Sequence, residues 1–295
     1  MDAKGFLFAG LGIVLIVWAA TIVRGGLRMP MPLQVAIGFG TAFFDTLGIG
    51  SFATTTAIYK LRNMVPVKLI PGTLNVGHTL PTIAQAFIYT QIIPVDSRTL
   101  VLMIAAACVG SWLGASVVVH WPRRNIQIGM GLALLGAAAL MLMTQLNLFP
   151  GGGETRSLTA IRLAIGLTGN FVLGILTMLG IGLYAPCMIL VSLLGMHPTA
   201  AFPIMMGSCA FLMPTTTVKF VHSQSYHAQA AIGLAAGGLP AVLLAAYVVR
   251  SMPLVAVRWL VIVVVVYTAV TMLATAGQKG QDGREGREPA ADEHA

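Results

Sequence analysis

The chain has 295 residues, of which 57% are hydrophobic and only 9% are charged, against about 25% charged in a soluble domain. The net charge of +8 is no nucleic-acid signature, because most basic residues sit in short loops between apolar runs, where they set membrane orientation. Strands alternating between apolar and polar residues are absent, which excludes a β-barrel and leaves an all-α polytopic membrane protein.

Apolar segments run approximately over 5–23, 33–59, 67–93, 99–119, 126–147, 160–194, 199–221, 228–249 and 256–276, most of them long enough to cross a bilayer. The first follows Lys4 and is followed by Arg24-Gly25-Gly26-Leu27-Arg28 rather than by a cleavage site, so residues 1–32 read as a retained N-terminal transmembrane helix and loop. Residues 33–147 form a first repeat, 148–159 a linker and 160–276 a second repeat. The Gly-rich tail of mixed charge, 277–295, reads as disordered.

The repeats are defined by a phrase written twice. Leu47-Gly48-Ile49-Gly50-Ser51-Phe52-Ala53 returns 132 positions on, from 47 to 179, as Leu179-Gly180-Ile181-Gly182-Leu183-Tyr184-Ala185. The same offset pairs Phe39 with Phe171, Met64 with Met196, Pro66 with Pro198 and Pro71 with Pro203. Glycines interrupting corresponding apolar segments of two halves are expected of a transporter built on broken helices. Read alone, a Gly-x-Gly only permits close helix packing; its duplication favours a break.

Charge counting sets the topology. If 33–59 and 160–194 each cross the membrane once, the seventeen Lys and Arg divide nine against eight. If each enters, breaks and returns, Arg24, Arg28, Lys60, Arg62, Lys68, Arg123, Arg124, Lys219 and three tail residues share one face, eleven against six. The positive-inside rule prefers the second arrangement. The halves are then inverted repeats, each opening with a Gly-broken helical hairpin. Half-segments of about twelve residues reach only ~18 Å, so the first hairpin is expected to end near mid-membrane.

A helix that begins at a break points free N–H groups and a positive dipole end into the protein. Gly48, Gly50, Ser51, Thr54 and Thr55 open such a half-helix. Gly180, Gly182, Tyr184 and Cys187 are its counterpart, with Pro186 early in the helix, where its missing N–H costs little. The next segments add Asn75, His78, Thr79 and Gln85 in the first half and Ser208 in the second. Asn170, upstream of the second break, joins them. A histidine such as His78 more commonly serves structure, and threonines often bond their own helix carbonyls. Asp45 is the only acid inside the apolar segments, at a cost of ~3 kcal/mol unless protonated, paired or hydrated. Two roles stand open for it, proton or ion coupling and acceptance of hydrogen bonds from loosened backbone. Cys108, Cys187 and Cys209 show no metal spacing, and neither metal nor cofactor is expected.

In Gly48-Ile49-Gly50-Ser51 and Gly180-Ile181-Gly182-Leu183, the latter followed by Pro186, the chain resembles the sulfite exporter TauE/SafE family of membrane transporters (permeases), over about residues 33–276. That family carries a Gly-rich phrase of this kind once per half; here both phrases lack its third glycine. The resemblance implies export of small sulfur-containing anions such as sulfite or organosulfonates. The expected function is a secondary transporter in the bacterial inner membrane, with alternating access and an anion site at the broken-helix ends near the midplane. A passive small-anion channel, an intramembrane enzyme and a non-transporting subunit are the alternatives. The chain reads as a non-enzyme: there is no HExxH, no Gly-x-Ser-x-Gly and no second intramembrane acid. A phosphate loop is also absent. The expected partners are a small anionic substrate and the lipid bilayer, not nucleic acid, with homo-oligomerisation left open.

Overall fold

The computed structural model describes residues 3–148, 152–179 and 182–248, together with 259, 262–263, 265–267, 269–270 and 272–274. The tail expected to be disordered lies outside the described residues.

The protein is helical, with no strand among the described residues. A peripheral helix α1 (Ala3–Gly25) precedes α2 (Pro32–Thr46), α3 (Ser51–Leu61), α4 (Ile70–Ile92), α5 (Ser97–Val118) and α6 (Arg123–Gln145). Then follow α7 (Ala160–Thr177), α8 (Tyr184–Leu193), α9 (Ala201–His222) and α10 (Ala228–Val248). Among the described residues six helical stretches are long and apolar enough to cross a membrane, so this is a multi-pass membrane protein. The helix α4 is as long as a span but is not among the six. Its interior carries Asn75, His78, Thr79, Thr82 and Gln85, all buried, and neighbouring helices cover it on nearly every side.

The chain breaks where glycine supplies the required backbone. At the end of α2, Gly48 has φ +85°, its N–H donates to Asp45 O at 2.8 Å, and Ile49 N–H donates to Phe44 O at 3.1 Å. This pattern closes a helix through a left-handed residue. Asn63 (φ 50°) and Gly195 (φ 80°) close α3 and α8 in the same way, with Met64 N–H on Tyr59 O and Met196 N–H on Val191 O. Pro66 and Pro198 follow at equal distances, where a proline cannot continue the helix.

Hydrogen bonds fix the path of the first break. The Tyr89 hydroxyl, late in α4, donates to Thr46 O at 2.8 Å, while Thr55 meets His78, nearer the start of α4, at 3.0 Å. Thus α2 descends along α4, the chain turns at 47–50, and α3 returns towards the start of α4. The second break behaves alike: Leu190 of α8 lies against Gly169 of α7, and Gly195 lies beside Arg162 at the start of α7. The first hairpin has unequal arms. Its descending arm has 15 residues and its returning arm 11, and Gly48 comes beside Phe202 at the start of α9. The break is off-centre in the segment.

Two antiparallel helices form the centre. The start of α4 lies against the end of α9, at Gly72 with Phe220 and Ser225; at the other end Tyr89 stacks on Phe202 with ring centroids 5.3 Å apart. Around them α2 packs in parallel on α10, with Gly237 beside Val35 O, and α7 packs in parallel on α5, with Gly174 beside Ala107 O. Small residues at these crossings bring backbones together, the usual basis of helix association in lipid.

Charges collect at the two ends. At one, called here the near end, the Tyr226 hydroxyl adjoins Gly25, His227 N–H donates to Thr73, and Lys60 feels the charge of Arg123. Lys219 reaches the end of α5, donating to Trp112 O at 2.6 Å, contacting Ser116 Oγ and lying over the Trp112 ring. At the far end Arg156 donates to Pro94 O and accepts from Asp96 N–H.

Candidate functional site

The two breaks meet inside the protein. The Asp45 carboxylate, at the last turn of α2, accepts from Ser51 N–H at 2.5 Å through Oδ1 and from Gln85 Nε2 at 2.9 Å through Oδ2. The same Gln85 nitrogen donates to Thr46 Oγ1 at 2.9 Å. Its carbonyl Oε1 accepts from the Tyr184 hydroxyl at 2.7 Å. Tyr184 is the first residue of α8 and Ser51 the first of α3, so one carboxamide links the starts of both returning helices. A β-carbon on Gly182 would stand 3.9 Å from Phe52 Cβ, a second close approach of the breaks. Asp45, Ser51, Gln85 and Tyr184 are all buried.

The Ser51 backbone N–H, expected to be free, is occupied in the conformation described. It is held by Asp45, an anion supplied by the chain, because closing α2 through Gly48 brings that carboxylate back over the start of α3. Of the two roles left open for Asp45, acceptance of a backbone hydrogen bond is therefore observed.

The remaining sequence candidates divide. Gly48 closes α2, and Gly50 (φ 90°) stands immediately before α3 with nothing within 4 Å of where a β-carbon would lie. Thr55 and His78 form one buried pair, with the Phe52 ring 5.9 Å from the His78 ring. The hydroxyls of Thr54 and Thr79 turn back onto their own helices, at Gly50 O and Ser51 O and at Asn75 O respectively. Asn75 donates to Pro71 O, and its Oδ1 has no partner among the described residues. Ser208 accepts from Asn170 Nδ2 at 3.0 Å beside Met103 O; among the described residues no hydrogen bond joins that pair to the Asp45 chain. Cys187 is buried and, like Cys108 and Cys209, a free thiol. Gly180 lies outside the described residues.

Thr46 and Tyr89 belong to this hydrogen-bonded chain without having been singled out in the sequence, whereas Gln85 was among the candidates. Gln85 was visible as a carboxamide in an apolar segment, but its role depends on α4 lying between the two breaks, which residue spacing does not encode. Among the described residues no three His, Cys, Asp or Glu side chains are placed to hold a metal.

No family model, no curated protein and no solved structure matches the chain.

Proposed function

We propose that this protein is a secondary transporter that moves a small anion by alternating access between two inverted repeats, 33–147 and 160–276. The observation that carries the reading is the meeting of the two helix breaks at Gln85, which puts the starts of α3 and α8 on one hydrogen-bonded chain. Inversion is supported by the antiparallel course of α4 and α9. It is further supported by the exchange of partners, α2 with α10 and α7 with α5.

In this reading the start of α3 is the anion-attracting element, since unpaired N–H groups and the helix dipole favour negative charge there. Asp45 holds that position in the conformation described. An arriving anion takes the Ser51 N–H as Asp45 withdraws, and a proton on Asp45 removes the charge that would otherwise repel it. Neutralisation of the carboxylate and anion binding are thereby coupled, and Gln85 reports the change to Tyr184 across the break.

The substrate class, sulfite or an organosulfonate, rests on the resemblance of the two glycine phrases to the TauE/SafE exporters. We place the protein in the bacterial inner membrane. Liposomes containing the purified protein, supplied with a panel of sulfur anions and carboxylates, test the reading. Saturable uptake with counterflow is expected for at least one sulfur anion. Flux without counterflow would make it a channel, and absence of flux for the whole panel would overturn the proposal.

A further inference from the structure

Four fully buried oxygens have no hydrogen-bond partner among the described residues: Thr56 Oγ1 and Tyr59 OH on α3, Asn75 Oδ1 on α4 and Thr217 Oγ1 on α9. Two contacts bring three of them to one level. Asn75 is three residues inward from Gly72 on α4, and Thr217 is three residues inward from Phe220 on α9; Gly72 and Phe220 touch, and the helices are antiparallel. Each lies about 4.5 Å deeper than that contact. Tyr59 is one turn from Thr55 and Asn75 one turn from His78, both towards the near end, and Thr55 bonds His78. Thr56 is the neighbour of Thr55. The other unpartnered side-chain oxygens, of Thr90 and Asn170, belong elsewhere, on the last turns of α4 and beside Met103.

Buried polar atoms are normally paired, so a group of orphans in one place needs an explanation. Packing defects would scatter them. Here Tyr59, Asn75 and Thr217 share one level between the two breaks and the near end, on α3, α4 and α9, with Thr56 close by along α3. Their chemistry is uniform: neutral oxygens, three of them hydroxyls able both to donate and to accept. Such a lining suits water and a partly hydrated anion, because hydroxyls can turn their hydrogens towards it.

We infer that Thr56, Tyr59, Asn75 and Thr217 line the near-end half of the substrate path, which is closed and dry in this conformation and hydrated when the two halves separate. The inference rests on the transporter reading and adds the route by which the substrate reaches the breaks from the near end. The group does not use Asp45, Gln85 or Tyr184.

Hydroxyl-radical footprinting of the unmodified protein in lipid nanodiscs reads hydration directly. Tyr59 is expected to be modified about tenfold faster than Phe220, a buried apolar ring at the same level, through the open state populated at equilibrium. In a cysteine-free background, Thr217→Cys is expected to react with a charged methanethiosulfonate added from the near end, and Leu74→Cys, equally buried, to stay unreactive. Hydrated Tyr59 and reactive Thr217→Cys without anion flux would uphold the path and overturn the transporter reading. Anion flux with Tyr59 as protected as Phe220, and Thr217→Cys as inert as Leu74→Cys, would place the path elsewhere and overturn the inference. Protection of both sites without flux would overturn both.

Discussion

The Tyr184 hydroxyl donates to Gln85 Oε1 at 2.7 Å across 99 positions of the chain. It fixes the orientation of the carboxamide, whose nitrogen must then face Asp45 and Thr46. An ionised Asp45 can only accept, and Gln85 is turned to suit it. Any change in the carboxylate therefore reaches the start of α8 through one amide group.

Removal of the Tyr184 hydroxyl tests that link. Tyr184→Phe leaves Gln85 Oε1 buried without a donor, a loss of about 1–3 kcal/mol. Thermal unfolding in detergent should register the destabilisation, and anion flux in liposomes should fall well beyond the loss of folded protein. Flux and melting both equal to those of the parent would show that the link between the breaks is dispensable.

Asp45→Asn separates coupling from binding. The asparagine oxygen can still accept from Ser51 N–H, but its amide cannot be deprotonated. Proton-driven accumulation should fail, whereas equilibrium exchange of the anion should persist. The two are measured in the same liposomes, and normal accumulation by the folded variant would remove Asp45 as the proton carrier.

The two phrase glycines should respond for different reasons. At Gly50, space is open but φ is 90°, so even Gly50→Ala strains the backbone by about 1–3 kcal/mol. At Gly182 a side chain would grow towards Phe52. Gly182→Leu should therefore force the breaks apart and abolish flux while leaving membrane insertion intact. Expression and chemical melting distinguish the first effect, and flux by correctly inserted protein the second.

The topology is tested by labelling. Single cysteines at Asn63 and Arg123 should react from the same side of the membrane, since Lys60 and Arg123 share the near end. A cysteine at Gly152, which adjoins Met196 O and Pro198, should react from the other. Labelling of Asn63 and Arg123 from opposite sides would contradict the hairpin.

The membrane class and the helical segments were legible because a bilayer demands long apolar runs, and the first break because Gly48 and Gly50 occupy positive φ. Met64 with Met196 and Pro66 with Pro198, seen first as identities, proved to stand at equivalent helix ends. What residue spacing could not give was depth and partnership. The unequal arms of the first hairpin carry Gly48 to Phe202, and only the fold places Gln85 between Asp45 and Tyr184. Ser208 and Asn170, expected among the site residues, bond each other beside Met103, with no hydrogen bond to the Asp45 chain among the described residues.

The polarity of α4 has a consequence for biogenesis. It is as long as a span yet is not among the six stretches apolar enough to cross a membrane, and the helices that cover it, α9 and α10, are made more than a hundred residues later. During synthesis α4 must wait, shielded by α1, the first hairpin and the insertion machinery, before its carboxamides and histidine gain their final surroundings. A chain cut short before α9 would leave that helix facing lipid with Asn75, His78 and Gln85 uncovered. Quality control should therefore read truncations of the second half as defects of the first.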